Sequence, residues 1–455
     1  MSIIEKQNFV VILGAGESGV GAALLAKKEG YVVFVSDIGK IQESFKNELI
    51  DNQIDFEEEK HSIDYILEKA DLVIKSPGIP FNASLVQALF QKGVDIIDEI
   101  EFASRYTKAK IIAITGSNGK TTTTRLIYHI LQTAKFNVGL AGNVGFSLAK
   151  QVASGDKDYY ALEISSFQLD SCSSFSPDIA ILTNITPDHL DRYAYKLENY
   201  IASKFRIIQN KKDSGVFIYN SEDENINYGF QHFSQDTAIQ NYVAISMKNL
   251  STDNEYLEVE HTDFKIKKSE LNIQGWHNRF NISCAVIAAK KLGISNEKIA
   301  EALKTFVNEA HRLESVAVIE AVEFINDSKA TNVDSVFYAL EAMTKPVIWI
   351  VGGQDKGNDY SPLFELVSQK VKAIVCLGLD NKKIVDSFSG MKEHIVETFS
   401  VDEALEKAYS FSEKGDVVLL SPACASFDLF NNYQHRGNLF KEKVKAMAQN
   451  LAFKK

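Results

Sequence analysis

The sequence predicts an α/β fold in three domains, each built on a mostly parallel sheet. Three observations lead there. Short β-branched runs alternate with helical patterns along the chain, two of those runs open into glycine-rich turns at Gly14 and Gly116, and 455 residues exceed what one ordinary core holds.

The runs Phe9–Leu13, Val32–Ser36, Leu72–Lys75, 111–115, 179–183, 347–351 and 417–420 end in small or polar residues and then pass into helical text, as strands with crossover helices do. One doubly wound domain rarely needs two phosphate-type loops, so the second glycine turn implies a boundary near Lys108. Residues 277–303 read as helical, and a fresh strand, turn and helix succession begins after His311, which puts a second break near Ala310. The expected domains are 1–108, 109–310 and 311–455, the first and last Rossmann-like. Between 213 and 271 the text turns polar and turn-rich with short alternating runs, which predicts an antiparallel patch within the middle domain.

Lys and Arg total 49 against 60 Asp and Glu, so the formal charge of -11 disfavours a general polyanion surface and any phosphate must be held locally. No nucleic-acid partner is expected. Cys172, Cys284, Cys376 and Cys424 lie far apart with no CxxC pair, which suggests neither a zinc knuckle nor a disulfide framework and favours reduced, buried thiols. The N-terminal apolar run passes straight into a glycine turn, unlike a secretion signal, and no uncharged apolar stretch approaches the ~18 residues of a membrane span. A cytoplasmic monomer without a membrane partner is expected.

The sharpest motif is TGSNGKTT, comprising Thr115, Gly116, Ser117, Asn118, Gly119, Lys120, Thr121 and Thr122, between an apolar strand and a helix over 122–131. Backbone N–H groups and the positive helix end suit anionic oxygens, Lys120 supplies a charge, and the Thr121 hydroxyl suits Mg2+. The loop is two residues shorter than the usual GxxxxGKT pattern, yet strand and helix flank it as polyphosphate binding requires. This makes the middle domain a P-loop ATPase-type domain.

The other turn, GAGESG from Gly14 to Gly19, also follows a strand and opens a helix, and Asp37 ends the next strand where it could hold a ribose hydroxyl. Alone it suits NAD, any other nucleoside diphosphate, or a turn without a ligand.

EISSFQ from Glu163 and TNITPDHLD from Thr183 each come after an apolar run and place polar groups at a strand's C-terminal end, the edge where open α/β sheets bind ligands. Glu163 and His189 could there meet a metal beside the Lys120 loop. Lys204, on a helix with Ile201, Phe205 and Ile208, reads from its own neighbourhood as a solvated lysine.

Taken together, TGSNGKT from Thr115, Glu163, the run from Asn184 to His189, Lys204, GWHN from Gly275, HR at His311 and NDSKATN from Asn326 resemble, in order and spacing, the Mur ligase family, essentially end to end. SPGIP from Ser76, GN at Gly142, EISSFQL from Glu163 and LSPACASFD from Leu420 are similar to its D-glutamate-adding branch. The resemblance implies a ligase that uses ATP to activate the carboxylate of UDP-N-acetylmuramoyl-L-alanine as an acyl phosphate, which D-glutamate then attacks.

It further implies one Mg2+ between ATP, Thr121 and Glu163, and a second held by His189 and by Lys204 after carbamylation by CO2. Lys120, Glu163, His189, Lys204 and Asp327 become the catalytic set. ATP falls to the Lys120 loop with Asn278, Arg312 and Asp327. The UDP substrate falls to Glu17, Ser18, Asp37, Gly78, Asn143 and His189, and D-glutamate to Lys329, Thr331, Lys356, Ser426, Phe427 and Tyr433. Tyr433 stands where the family pattern has phenylalanine, so its contact departs from that pattern. Another Mur-type or folylpolyglutamate-type ligase, an NAD dehydrogenase and a nucleotide-binding scaffold are the alternatives, of which the dehydrogenase leaves Lys120, Thr121 and Asp327 without a task.

Overall fold

The computed structural model describes residues 8–210, 214–234, 241–250, 255–273, 275–355 and 357–452. Strands β1 (Phe9–Leu13), β2 (Val32–Ser36), β3 (Asp55–Glu57), β4 (Leu72–Lys75) and β5 (Asp95–Ile97) form a parallel sheet in the order β3-β2-β1-β4-β5. The strand order reverses between β1 and β4, and the Gly14 turn leaves from that switch point. Val10, Val11 and Ile12 are fully buried, because a parallel strand covered on both faces must be apolar on both.

The second sheet holds β6 (Lys110–Thr115), β7 (Val138–Gly142), β8 (Tyr159–Glu163), β9 (Ile179–Leu182), β10 (Val216–Asn220) and β11 (Asn241–Ile245), in the order β11-β10-β9-β6-β8-β7. Here β6 lies between β8 and β9, with Ile114 opposite both Glu163 and Ile181. The loop after β6 is therefore flanked by the segments that leave β8 and β9, which places the Glu163 and Thr183 motifs beside the Lys120 turn.

The expected antiparallel patch is smaller than the 213–271 span. Val216–Asn220 and Asn241–Ile245 instead join the main sheet in parallel, because Phe217, Ile218, Val243 and Ile245 have a core face to bury. Among the described residues of that span only β12 (Tyr256–Glu258) and β13 (Lys265–Lys267) pair antiparallel, each burying its single central residue, Leu257 or Ile266.

The third sheet holds β14 (Glu314–Ile319), β15 (Val322–Asn326), β16 (Val347–Gly352), β17 (Val371–Leu377), β18 (Ile395–Thr398) and β19 (Val417–Ala423), in the order β14-β15-β19-β16-β17-β18. Only β14 runs antiparallel to its neighbour. Trp349, Val351 and Leu419 enter one hydrophobic layer while Ile348, Ile350 and Leu420 enter the other, as the two-residue period of a strand dictates.

The chain falls into two compact units, Met1–Asn272 with Asn278–Phe306, and Ile273–His277 with Val307–Lys455. Within the first, one hydrophobic cluster runs from Val10 through Phe102 to Ile226 and joins its two parallel sheets. Glu99 reinforces that junction: its carboxylate accepts the Ser147 hydroxyl at 2.7 Å and the Ala149 amide at 2.5 Å, at the start of helix Leu148–Gly155. All four cysteines are buried and free, and no described helix is long and apolar enough to cross a membrane.

Candidate active site

Gly116 and Gly119 follow β6 with φ values of 149° and 82°, a left-handed path that turns the chain into helix Lys120–Thr133. A Cβ on Gly116 would meet the Thr183 hydroxyl at 1.9 Å, and one on Gly119 would meet Asn281 Oδ1 at 2.6 Å. The loop is braced by the segment after β9. Asn118 N donates to Asn184 Oδ1 at 2.8 Å, Thr183 Oγ1 donates to Asn118 O at 2.6 Å, and Ser117 Oγ donates to Thr186 O at 2.8 Å. Thr115, Thr121 and Thr122 are buried at the strand end and in the first helical turn.

Asn281 is a site residue that the sequence reading misses. Its Nδ2 donates to Asn278 Oδ1 at 3.1 Å and its Oδ1 accepts Thr123 Oγ1 at 3.2 Å, so it links Asn278 to the phosphate-loop helix. A signal exists, because a residue three places after Asn278 on a helix shares its face.

Lys120 Nζ donates to the carbonyls of Gly116 and Ser117, both at 2.8 Å. Lys204 Nζ reaches the same Gly116 oxygen at 2.8 Å and sits 4.4 Å from the centre of the Tyr200 ring. The solvated lysine read from its neighbours is thus corrected: Lys204 is 1% exposed, because helix Leu197–Phe205 buries Tyr200, Ile201, Ser203, Lys204 and Phe205 together. Burial, reinforced by the Lys120 charge, holds the Lys204 ammonium well below the usual lysine range.

Glu163 closes β8. Its Oε1 accepts Asn143 Nδ2 at 2.8 Å, while its Oε2 is buried and has no hydrogen-bond partner. A buried, unpartnered carboxylate oxygen is costly unless a cation meets it, which makes this atom a candidate cation ligand. His189 has a left-handed backbone, φ 52°, and its Nε2 lies 3.6 Å from Asp188 Oδ2. Among the described residues no three His, Cys, Asp or Glu side chains form a metal cage, so a divalent ion here must draw on hydroxyls, ligand oxygens or water.

Asp37 Oδ2 accepts the Ala15 amide at 2.6 Å and so braces the Gly14 turn, while Oδ1 accepts the Gly39 amide at 2.8 Å and closes the segment after β2. Glu17 Oε1 accepts the Ser147 amide at 3.3 Å, with Ser18 half-buried beside it. Gly78 O accepts Arg192 Nη2 at 3.1 Å.

In the second unit, Asp327 Oδ2 accepts the Ser421 hydroxyl at 2.8 Å and Oδ1 accepts the Leu313 amide at 3.2 Å. Burial pushes its carboxyl up to about 7, against the opposing pull of the Ser421 hydrogen bond and the Arg312 charge. Lys329 pairs with Glu309 and lies 5.5 Å from the centre of the Tyr433 ring. Thr331 is half-buried, Ser426 is buried and Phe427 is exposed. Lys356 lies outside the described residues.

Arg436 is also absent from the sequence expectations, since a lone arginine in helical text carries no signal. It is fully buried, donates from Nε to Ser328 Oγ at 3.0 Å and from Nη2 to Ser328 O at 2.9 Å, and so fixes the residue after Asp327. Burial lowers its guanidinium to about 10.

Residues 10–85, 114–289 and 311–424 match the family models described as "MurD N-terminal domain", "Mur ligase middle domain" and "Mur ligase, glutamate ligase domain". The chain is 50% identical over 445 residues to the UDP-N-acetylmuramoylalanine--D-glutamate ligase of Christiangramia forsetii, covering 96% of this chain and 99% of that one. It is 49% identical over 450 residues to the enzyme of the same name from Cytophaga hutchinsonii, with coverage of 96% and 99%. Among solved structures, UDP-N-acetylmuramate-alanine ligase MurC of Thermotoga maritima superposes with a TM-score of 0.60 at 19% identity, over 97% of this chain and 99% of that one. MurF ligase of the same organism, in complex with ADP, gives 0.60 at 16% identity over 98% and 100%. At such identities the two structures share the fold.

Proposed function

Because the chain belongs to the Mur ligase family, we propose that it joins D-glutamate to UDP-N-acetylmuramoyl-L-alanine with cleavage of ATP to ADP and phosphate, in cell-wall precursor synthesis. The observation that carries this reading is the convergence on one loop of Lys120, Lys204 and the open oxygen of Glu163.

The reaction must bring a carboxylate up to a triphosphate, so charge is the main obstacle. A carboxylate oxygen of the UDP substrate attacks the γ-phosphorus and ADP leaves. The D-glutamate amine then attacks the acyl carbon, phosphate departs with that oxygen, and the amine loses a proton to give the amide. The start of helix Lys120–Thr133 binds the phosphates, and Lys120 swings from its loop carbonyls to the transferred group. Thr121 Oγ1 and Glu163 Oε2 fit Mg2+, a hard ion that takes oxygen ligands and completes its shell with phosphate and water. Magnesium, when bound, screens the phosphate oxygens and the attacking carboxylate.

Lys204 has the character that carbamylation requires. A buried amine held below its usual range gives up its proton more readily, and the free amine adds CO2 by forming a nitrogen–carbon bond and releasing a proton. The carbamate would place an anion beside Lys120 that, with His189, suits a second Mg2+.

Residues 1–108 take the UDP substrate through Glu17, Ser18, Asp37 and Gly78, with Asn143 and His189 toward its reacting end. Residues 109–310 take ATP, with Asn278 toward the adenine. Residues 311–455 supply Arg312 and Asp327 for ATP, and Lys329, Thr331, Lys356, Ser426, Phe427 and Tyr433 for D-glutamate. The enzyme acts as a cytoplasmic monomer without nucleic acid or membrane.

An ADP-release assay with UDP-N-acetylmuramoyl-L-alanine tests this. Release that requires D-glutamate and fails with L-glutamate, L-lysine or glycine is expected. Release with another amino acid in its place would move the chain to a different ligase of the family, and release with no amino acid at all would reduce it to a nucleotidase.

A further inference from the structure

For the substrates it serves, the inference rests on the function proposed above: we propose that Arg192 is a positioning residue, a strut that ties the loop carrying Gly78 to His189 by way of Phe167. The loop leaves the end of β4, and Lys75 stiffens it from below by donating to Ser76 O at 3.2 Å and Ile79 O at 2.8 Å. Arg192 Nη2 holds it from the other side through Gly78 O at 3.1 Å. The same guanidinium lies 4.6 Å from the centre of the Phe167 ring, and Phe167 meets the His189 imidazole edge to face with centroids 5.2 Å apart. One continuous set of contacts thus runs from Gly78 to His189.

His189 needs such support. Its φ is 52°, and Ala194 and Tyr195 have 54° and 57°, so three non-glycine residues of one short segment have left-handed backbones. Such conformations persist only where the surroundings over-determine them. The turn's own hydrogen bonds, Arg192 N to His189 O at 3.0 Å and Tyr195 N to Leu190 O at 2.8 Å, close the backbone without aiming the imidazole. Asp188 and the Phe167 ring flank the imidazole, and Arg192 caps the ring.

The packing around the strut raises its importance. A cavity of about 480 Å3 lined by Lys75, Ile79, Phe167, Asp170 and Arg192 lies beside it, so side-chain packing does not back the loop there. A planar guanidinium can stack on Phe167 and donate to Gly78 at once, whereas a lysine ammonium cannot keep both contacts in one geometry.

The strut connects the loop assigned to the nucleotide end of the UDP substrate with the histidine assigned to its reacting end. Loosening it should weaken that substrate and the chemical step together while leaving ATP binding alone. Arg192→Ala is expected to raise KM for UDP-N-acetylmuramoyl-L-alanine about tenfold, the scale of one stacked and one hydrogen-bonding contact partly in water. It should also lower kcat, with KM for ATP and the melting temperature unchanged; Arg192→Lys and Phe167→Leu should fall in between. Unaltered kinetics in Arg192→Ala, or a parallel rise in KM for ATP, would overturn the proposal.

Hydrogen exchange of the substrate-free chain supplies a readout independent of turnover. Arg192→Ala should exchange faster in both 76–82 and 187–195, and unchanged exchange in either segment rejects the strut. Wild-type protein without D-glutamate-dependent turnover would count against the proposed function, leaving the exchange result to judge the strut.

Discussion

Lys120 and Lys204 donate to one oxygen, the Gly116 carbonyl, each at 2.8 Å. Two ammonium groups on one buried acceptor repel each other, and loss of the proton from one of them relieves that cost. Burial favours that loss at Lys204, with the Lys120 charge adding to the effect. Removing bicarbonate and CO2 should therefore lower activity, and restoring them should recover it. Labelled bicarbonate should give a carbamate resonance in wild type that Lys204→Ala lacks. Full activity of Lys204→Ala would remove the carbamate from the account.

Glu163→Gln separates function from stability. The buried Oε2 is unpartnered in the free protein, so a neutral amide there should leave folding stability equal or raised, as read by thermal unfolding without Mg2+. Activity should fall by about a hundredfold or more, the scale of losing a group that stabilises transition-state charge, with a higher Mg2+ requirement. A stable variant with wild-type Mg2+ dependence would mean that the ion is held elsewhere.

Gly116→Ala should harm the loop twice over, by placing a methyl 1.9 Å from the Thr183 hydroxyl and by straining a backbone at φ 149°. A destabilisation of about 1 to 3 kcal/mol is expected in denaturant titrations. Nucleotide binding should be lost even where the variant folds. Normal ATP affinity would show that the loop's path is not what binds phosphate.

Glu99 gives a pH signature at the junction of the first two sheets. Burial pushes its carboxyl up to about 7, against the hydrogen bonds from Ala149 and Ser147. Its folded value lies above its unfolded one of about 4.3, so its stabilising share is fully present below about pH 4 and is lost as pH rises through about 7. Asp98 beside it, also raised by burial, gives a slope of the same sign. Glu99→Gln should gain on wild type by about 2 kcal/mol between pH 5 and pH 8 in chemical denaturation. A constant difference across that range would show that Glu99 is not buried as an acid.

Much of this is legible in the sequence because the phosphate loop is local: strand, glycines, lysine and helix stand within one stretch from 111 to 133, and each has its own physical signature. The expected runs of β1, β2 and β4 agree with the structure, and both glycine turns leave strand ends as expected. The features that escape depend on contacts distant in sequence. Lys204 reads as solvated from its own helix, yet it is buried with its Nζ on the Gly116 carbonyl 88 residues earlier. Asn143 reads as a substrate residue alone, yet it also holds Glu163 across 20 residues. Arg436 meets Ser328 over 108 residues, a pairing that no local pattern announces. The stretch around β10 and β11 misleads because short apolar runs set among polar turns suit the outer strands of a parallel sheet as well as a hairpin.

The most direct test of the central claim tracks one oxygen atom. UDP-N-acetylmuramoyl-L-alanine carrying heavy oxygen in its free carboxylate should, on D-glutamate-dependent turnover, deliver one labelled oxygen to phosphate for each amide formed, because that oxygen bonds to phosphorus in the acyl phosphate. Phosphate free of label, with amide formed at the normal rate, would contradict activation through an acyl phosphate.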